Sequence, residues 1–252
     1  MKKIELKPYF EVKPWAGEKL TNIFSAPKSS GEAWLVSCIK NKESKLENGE
    51  LLSSFVKDHY EELGLNKDEE FPVLIKIIDA KEDLSIQVHP DDEYAISKGY
   101  KNGKYECWYI LPETINNKII FGVKENTSKD ELKEAIKKGM LEDYLIYKDI
   151  KAKDYLKVVP GTVHAILSNT FILEVQDPCD ITYRLYDYNR LPKRELHVED
   201  SLNVIYKNKG HVDLAKYAVI DNVDSFIINI KGYDKFYVEI EKGNYKTYLV
   251  IK

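Results

Sequence analysis

Short apolar-rich runs, several of which alternate apolar with polar residues, recur along the sequence, most densely from residue 71 onward. Each run is rich in β-branched or aromatic residues and is bounded by turn residues. The clearest runs are residues 31–39, 73–78, 84–89, 106–111, 118–121, 155–159, 171–176 and 180–186. Because successive side chains of a strand point to opposite faces, such runs are typical of half-buried β-strands. Regular short strands of this kind predict a β-sandwich or β-barrel.

Two stretches follow a period near 3.6 residues instead and predict helices. Residues 49–64 place apolar side chains on one face and end at Gly64, which suits a helix C-cap. Ser128 and Glu131 have the spacing of a capping box, and Gly139 follows the last turn of that helix. The second helix is interpreted as scaffolding.

Length and composition limit the class of protein. With 252 residues the chain is long enough for one large β domain or two modest ones. Its 38 basic and 42 acidic residues are mixed along the sequence, with a net charge of -4, so no basic stripe for nucleic acid is expected. Cys38, Cys107 and Cys179 lack CxxC spacing and predict reduced thiols.

The N-terminus and the apolar runs bear on location. The first residues lack the apolar region of a signal peptide, and no uncharged run reaches membrane-spanning length. A cytoplasmic protein is therefore expected, with neither a membrane nor nucleic acid as a partner. The sequence leaves open whether the protein is a monomer or a homo-oligomer.

The predicted strand at residues 84–89 carries the first candidate for chemistry. Its alternation turns Ser85, Gln87 and His89 to one face, opposite to the apolar residues, and Pro90 ends the strand. Gln87 and His89 are therefore neighbours at a strand end, where ligands from other strands can meet them. Taken alone, a single histidine in a strand is more often a core residue.

Two later strands add side chains that can ligate a metal ion, Glu106 and His164. A compact antiparallel barrel brings such positions together inside its mouth. Two imidazoles, a carboxylate and an amide oxygen suit Zn²⁺ and are also acceptable to Mn²⁺, Fe²⁺ or Co²⁺. Gln87, His89, Glu106 and His164 are therefore a candidate metal site, although Glu106 by itself also fits an ordinary surface carboxylate.

Two cations stand out in the predicted strands. Lys76 interrupts the run Val-Leu-Ile-Lys-Ile-Ile, and burying its ammonium is costly unless it is paired or faces a water-filled cavity. An edge strand, on which a lysine blocks aggregation, would explain Lys76 equally well. Arg184 alternates with Thr182 and Tyr186 and so shares a face with polar groups.

Blocks between about residues 13 and 205 resemble one enzyme family. Residues 71–80 (Phe-Pro-Val-Leu-Ile-Lys-Ile-Ile-Asp-Ala) and 84–92 (Leu-Ser-Ile-Gln-Val-His-Pro-Asp-Asp) resemble the signature of type I phosphomannose isomerases, the cupin-type mannose-6-phosphate isomerases. The later blocks of the short bacterial form are similar to residues 104–109, 159–166, 173–176 and 182–188, and its flanking segments to residues 13–17, 31–34 and 194–197. The resemblance implies a mainly β fold, a cupin or jelly-roll β-barrel with a few inserted helices, to which the short C-terminal part of this chain adds a reduced second β domain.

The resemblance also implies a site and its chemistry. The implied residues are Gln87, His89, Glu106 and His164 for one zinc ion per chain, Ser85, Lys76 and Lys104 for the substrate, and Arg184, Lys104 and Asp180 for catalysis. The implied reaction interconverts mannose 6-phosphate and fructose 6-phosphate by moving one proton between C2 and C1 through an enediol. Its substrate is thus a phosphorylated sugar.

The C-terminal region departs from the family pattern. Residues 1–195 are expected to form the metal-binding cupin domain, and residues 196–252 a short β region of a few hairpin strands. Because family members usually continue into a fuller second barrel, this region is expected to be a truncated second cupin or to be completed by another subunit. His197 and His211 are interpreted as surface histidines outside the ligand set.

Two other functions remain open at this point. A cupin oxidase or dioxygenase would use a similar metal site with Fe or Mn, but it would leave Arg184 and the block from Lys104 to Glu106 without a role. A non-catalytic sugar-binding or regulatory cupin would keep the zinc without turnover.

Overall fold

The computed structural model describes residues 1–207 and 216–252, with only the backbone described at residues 206 and 207. The strands are β1 (Lys2–Lys7), β2 (Tyr9–Val12), β3 (Ser30–Val36), β4 (Lys45–Leu46), β5 (Leu74–Ala80), β6 (Ile86–Val88), β7 (Glu106–Ile110), β8 (Lys118–Val123), β9 (Leu145–Asp149), β10 (Tyr155–Val158), β11 (His164–Ala165), β12 (Thr170–Gln176), β13 (Tyr183–Tyr186), β14 (Tyr217–Asp221), β15 (Ser225–Ile230), β16 (Tyr233–Glu241) and β17 (Thr247–Ile251). The helices are α1 (Lys19–Phe24), α2 (Leu52–Asp58), α3 (Tyr60–Leu63), α4 (Asp92–Ser97), α5 (Lys129–Lys138) and α6 (Val198–Lys207), and a 3₁₀ helix spans Leu141–Tyr144. The expected mainly β fold is confirmed.

The two predicted helices are present with the expected caps. The first is divided at His59 into α2 and α3, and Gly64 ends α3 with a φ of 71°, a left-handed conformation that glycine adopts without strain. The second is α5, which begins at the Ser128 capping box and is followed by Gly139. Strands β6 and β13 are shorter than their alternating runs, whose remaining residues lie outside any regular element.

One of the two compact units of the chain combines N-terminal and C-terminal parts of the sequence. It contains Met1–Asp79, Ile172–Pro178 and the strands β14 to β17. Six of its strands form an antiparallel sheet in the order β14-β15-β16-β17-β1-β4, while β12, β5, β3 and β2 are neighbours in that order. The last strand, β17, pairs with both β16 and β1 and is therefore not an edge strand. Trp34, Phe71 and Phe236 fill the core of this unit.

The other unit contains Ala80–Phe171 and the segment from Cys179 through α6. Five of its strands form an antiparallel sheet in the order β13-β6-β11-β8-β9, and β7 pairs with β10. Buried side chains from the sheet, α5 and α6, including Ile86, Leu132 and Leu202, form a shared hydrophobic core. Because β6 lies between β13 and β11, residues of these three strands meet at the candidate site.

No helix in the described parts of the chain has the length and hydrophobicity needed to cross a membrane. The boundary expected between residues 195 and 196 stays a prediction. His211 lies outside the described residues.

Candidate metal centre and active site

His89, Glu106 and His164 come together in the second unit. His89 directly follows β6, Glu106 begins β7, and His164 begins β11. All three side chains are buried, and their ligating atoms lie within 4.8 Å of one another. Glu106 Oε2 is 3.5 Å from His89 Nε2, and Glu106 Oε1 is 3.5 Å from His164 Nε2. The interpretation of Glu106 as a surface carboxylate is therefore wrong.

These donor atoms fit a metal ion. Ligands about 2.1 Å from a tetrahedrally coordinated ion lie roughly 3.4 Å apart, close to the separations on either side of Glu106. His164 Nδ1 donates to the carbonyl oxygen of Thr162 at 2.8 Å, which leaves the lone pair on Nε2, the nitrogen that faces Glu106. A second hydrogen bond of this kind orients metal-ligating histidines and fixes their tautomer. This hydrogen bond is not predictable from the sequence, since a backbone carbonyl has no signature there.

Gln87, the fourth predicted ligand, lies beside this cluster. It is directly opposite His164 in the pairing of β6 with β11, and its Nε2 is 3.3 Å from His164 Nε2. The hydroxyl of Ser85, which is also buried, donates to Gln87 Oε1 at 3.3 Å. Because the oxygen of an amide is its metal-ligating atom, Gln87 would ligate only after its amide group has turned.

Lys104 is buried next to the same carboxylate. Its Nζ lies 2.9 Å from Glu106 Oε2, and its backbone N–H donates to the carbonyl of Pro90 at 2.9 Å. The preceding Gly103 approaches that loop so closely that an added Cβ would lie 2.4 Å from the carbonyl carbon of Asp91. The close approach keeps Lys104 and Glu106 beside His89, the residue directly after β6.

Arg184 is aligned with the cluster by the sheet. It lies directly opposite Gln87 in the pairing of β13 with β6, so the two side chains share a face. Arg184 is only half-buried, and its Nη1 donates to the carbonyl of Glu195 at 3.4 Å. Burial and the nearby charge of Arg194 lower the pKa of Arg184, while Asp187 and Glu195 raise it. Its guanidinium nevertheless stays charged at any physiological pH.

Two carboxylates near Arg184 in the sequence have separate environments. Asp187 is buried and accepts hydrogen bonds from Arg194 Nε at 2.7 Å and from Arg190 Nη2 at 3.1 Å. Its charge is therefore compensated by two other arginines and does not need Arg184. Asp180, the candidate acid, is exposed in the segment that leads into β13.

Lys76 belongs to the first unit and is not on an edge strand. It is buried in β5, which lies between β12 and β3. Its Nζ is 3.1 Å from Glu174 Oε1 and 4.0 Å from Glu32 Oε2, and it lies 4.9 Å from the centre of the Trp34 ring. The alternative of a paired, buried lysine is thus the correct one.

His197 is a residue whose role the sequence did not indicate. Instead of standing free on the surface, it is half-buried against the backbone of Arg184, with Nδ1 at 3.3 Å from the Arg184 nitrogen. The signal available in the sequence was its position in the block 194–197, which resembles a family segment.

The mainly β fold and the buried His-Glu-His cluster define a cupin-type protein that can hold a metal ion. The sequence model of the family described as "Phosphomannose isomerase type I, catalytic domain" matches residues 6–109. Over 271 aligned residues the chain is 35% identical to "Probable mannose-6-phosphate isomerase GmuF" of Bacillus subtilis (strain 168), an alignment that covers 97% of this chain and 83% of that protein. The chain belongs to the type I phosphomannose isomerase family.

Two further comparisons agree with this assignment. "Mannose-6-phosphate isomerase ManA" of Bacillus subtilis (strain 168) is 39% identical over 210 residues, which span 79% of this chain and 66% of that protein. A crystal structure of the mannose 6-phosphate isomerase from Bacillus subtilis superimposes with a TM-score of 0.79 at 34% identity, covering 96% of this chain and 81% of that one. The similarity therefore extends over both sequence and fold.

Proposed function

We propose that this protein is a metal-dependent isomerase that interconverts D-mannose 6-phosphate and D-fructose 6-phosphate. The observation that carries the proposal is the buried cluster of His89, Glu106 and His164 in a chain of the type I phosphomannose isomerase family. Relatives that carry the name mannose-6-phosphate isomerase support this choice of substrate. The proposed partner is thus a phosphorylated sugar, and the reaction requires neither nucleic acid nor a membrane.

The proposed cofactor is one zinc ion per chain. His89, Glu106 and His164 would hold it, with Gln87 as the fourth ligand, and this set of nitrogen and oxygen donors suits zinc. When bound, the ion supplies Lewis acidity to the oxygens of the sugar. The buried ammonium of Lys104, 2.9 Å from Glu106, would keep that carboxylate ionised and oriented.

Arg184 is proposed to stabilise the charge that develops during the reaction. Removing the proton from C2 or C1, before it is delivered to the other carbon, places negative charge on the enediolate oxygens. Arg184 shares a face with Gln87 and offers a planar donor that is always charged. Because the charge is larger in the transition state than in the substrate, such a donor lowers the barrier.

Ser85, Lys76 and Lys104 are proposed to bind the substrate. Lysine ammonium groups suit a phosphate dianion, and the ion pairs of Lys76 with Glu174 and of Lys104 with Glu106 hold both groups in fixed orientations. Lys104 and Asp180 are the proposed proton carriers. An exposed carboxylate such as that of Asp180 can exchange its proton with water between turnovers.

The cytoplasm is the proposed location. Cys38, Cys107 and Cys179 form no disulfide, which suits a reducing compartment.

A coupled assay with mannose 6-phosphate tests the proposed function. The fructose 6-phosphate that forms is converted to glucose 6-phosphate, which is then oxidised with NADP⁺. The absorbance of the resulting NADPH reports turnover. Turnover that scales with enzyme concentration, and that a His164→Ala preparation purified in parallel lacks, is the expected result. A zinc-loaded protein without turnover would favour the non-catalytic sugar-binding cupin, and oxygen consumption would favour the oxidase.

A further inference from the structure

Arg184 lies in a strand at the edge of its sheet. Among the described strands, β13 pairs only with β6 and stands first in the five-stranded order. The register of this pairing shifts between Arg184 and Tyr186, so the ladder is irregular directly beside Arg184. The backbone groups on the outer side of an edge strand need partners from elsewhere. Pairing with β6 alone therefore fixes Arg184 poorly.

His197 supplies partners for both backbone groups of Arg184. The N–H of Arg184 donates to His197 Nδ1 at 3.3 Å, and the N–H of His197 donates to the carbonyl of Arg184 at 2.8 Å. In a strand the N–H and C=O of one residue point to the same side, so both point away from Gln87 here. Arg184 and Gln87 consequently form a non-hydrogen-bonded pair, in which side chains approach each other more closely.

His197 is itself held by the helix that follows it. Its carbonyl accepts from the N–H of Ser201 at 2.8 Å and from the hydroxyl of Ser201 at 2.7 Å, at the start of α6. Its ring packs against Tyr183, with ring centres 5.9 Å apart. The start of α6 thus holds the histidine, and the histidine holds the backbone of Arg184.

We propose that His197 is a positioning residue that holds Arg184 for the isomerase reaction, an inference that rests on the function proposed above. Its Nδ1 accepts a hydrogen bond from the Arg184 N–H, and its Nε2 lies 3.9 Å from the exposed carboxylate of Glu195. The part of the side chain that matters is therefore an acceptor attached to the γ-carbon. Arg184 touches the reacting sugar, whereas His197 acts only through Arg184.

Three substitutions separate the acceptor from the bulk of the ring. His197→Asn keeps an acceptor oxygen on the γ-carbon, His197→Gln moves the amide one bond further out, and His197→Ala removes it. We expect kcat to fall roughly tenfold or more in the Ala and Gln variants, because small displacements of a catalytic group are costly, while the Asn variant recovers most of the rate. KM for mannose 6-phosphate and bound zinc should stay within about twofold of wild type in all three.

The matched control is His59→Asn, at a histidine that packs on Phe55 and contacts Glu62 in the first unit. It should leave kcat unchanged. A kcat near wild type in the Ala variant, or equal losses in the Asn and Gln variants, would overturn the positioning role. If the Ala variant does not fold, the comparison of Asn with Gln carries the test. Absence of turnover in wild type would instead count against the proposed function.

Discussion

Glu106 has different neighbours on its two oxygens. Oε1 faces His164, while Oε2 faces both His89 and the ammonium of Lys104. A carboxylate buried this completely loses its hydration, a cost that neighbouring cations and hydrogen-bond donors must offset. A metal ion between the two histidines would add a second compensating charge. The ion pair with Lys104 and the candidate metal site therefore stabilise the same group.

Replacing Arg184 tests its catalytic role at the scale of one residue. Arg184→Ala should lower kcat by roughly a hundredfold or more, because it removes a donor to the developing enediolate, with bound metal and melting temperature nearly unchanged. Arg184→Lys should recover only part of the rate, since a point charge does not reproduce a planar pair of donors. Steady-state kinetics and thermal unfolding of both variants measure this.

Arg194→Ala is the control for a structural arginine. Arg194 bonds the buried Asp187, so its loss should lower the melting temperature. If Arg184→Ala keeps a near-normal kcat, Arg184 is not the catalytic group, whatever the melting temperature of that variant.

The carboxyl group of Glu32 should make the free energy of unfolding depend on pH in the acid range. Burial raises the pKa of this carboxyl, but Lys13, Lys76 and a hydrogen bond from the Trp34 indole outweigh burial and bring the pKa down to about 2. Because the folded-state pKa is depressed, the stabilisation is present above the unfolded-state pKa of about 4.5 and is lost as pH falls toward 2. Its size is about 3 kcal/mol.

Urea unfolding between pH 6 and pH 3 measures this contribution. The free energy of unfolding of wild type should decline with falling pH more steeply than that of Glu32→Gln, which cannot titrate there. Glu47→Gln, at an exposed position, should leave the wild-type curve unchanged. Parallel curves for wild type and Glu32→Gln would show that Lys13 and Lys76 do not stabilise the ionised form of Glu32.

At the scale of elements, the segment between β6 and β7 sets the distance between His89 and Glu106. Asp91 caps α4 by accepting from the N–H of Tyr94 at 2.8 Å, and Asp92 accepts from the N–H of Gly103 at 2.8 Å. The segment is therefore folded back on itself, with Gly103 against the Asp91 backbone. The geometry of the candidate metal centre depends on this close approach.

Gly103→Ala should disturb that geometry. The added Cβ would press on backbone rather than on a flexible side chain, so we expect a loss of about 1–3 kcal/mol in unfolding free energy and reduced bound metal. Gly99→Ala, in the same segment, meets no atom within 4 Å and should carry only the strain of its positive φ. Metal content and urea unfolding of both variants decide the matter, and full metal occupancy in Gly103→Ala would contradict the prediction.

Two elements, α4 and β1, were not predicted from the sequence pattern, for different reasons. Helix α4 has six residues, too few for a helical period to be recognised, and its start coincides with the Pro-Asp-Asp that ends the β6 run. Strand β1 pairs with β17, Lys2 opposite Ile251, and such a distant pairing leaves no local pattern. The strands around the site were predictable, because alternation alone assigns Gln87 and Arg184 to polar faces.

The candidate site itself was only partly predictable, because contacts between distant residues leave no local pattern in the sequence. Residue types and faces identified His89, Glu106 and His164, whose convergence the structure bears out. The partner of Lys76, however, is Glu174, which is 98 residues away, and the contact of His197 with Arg184 depends on how α6 follows β13. Pairings of this kind follow from tertiary packing and not from the neighbouring sequence.

At the scale of the whole molecule, the proposed isomerase is expected to need a phosphorylated substrate. Lys76 and Lys104 are each held by a buried carboxylate, and their proposed task is to bind the phosphate dianion. Free mannose should therefore have a kcat/KM at least about a hundredfold below that of mannose 6-phosphate. Rates with both sugars under the same conditions measure the ratio, and equal values would remove the phosphate from the account.

Metal dependence is the central claim, and metal analysis combined with activity tests it most directly. The purified protein should contain about one divalent metal ion per chain, lose isomerase activity when a chelator removes it, and regain activity on addition of Zn²⁺. Circular dichroism should show that most of the fold survives, because the ion would occupy a catalytic site on an extensive β core. Full activity in a preparation shown to be free of metal would contradict the account.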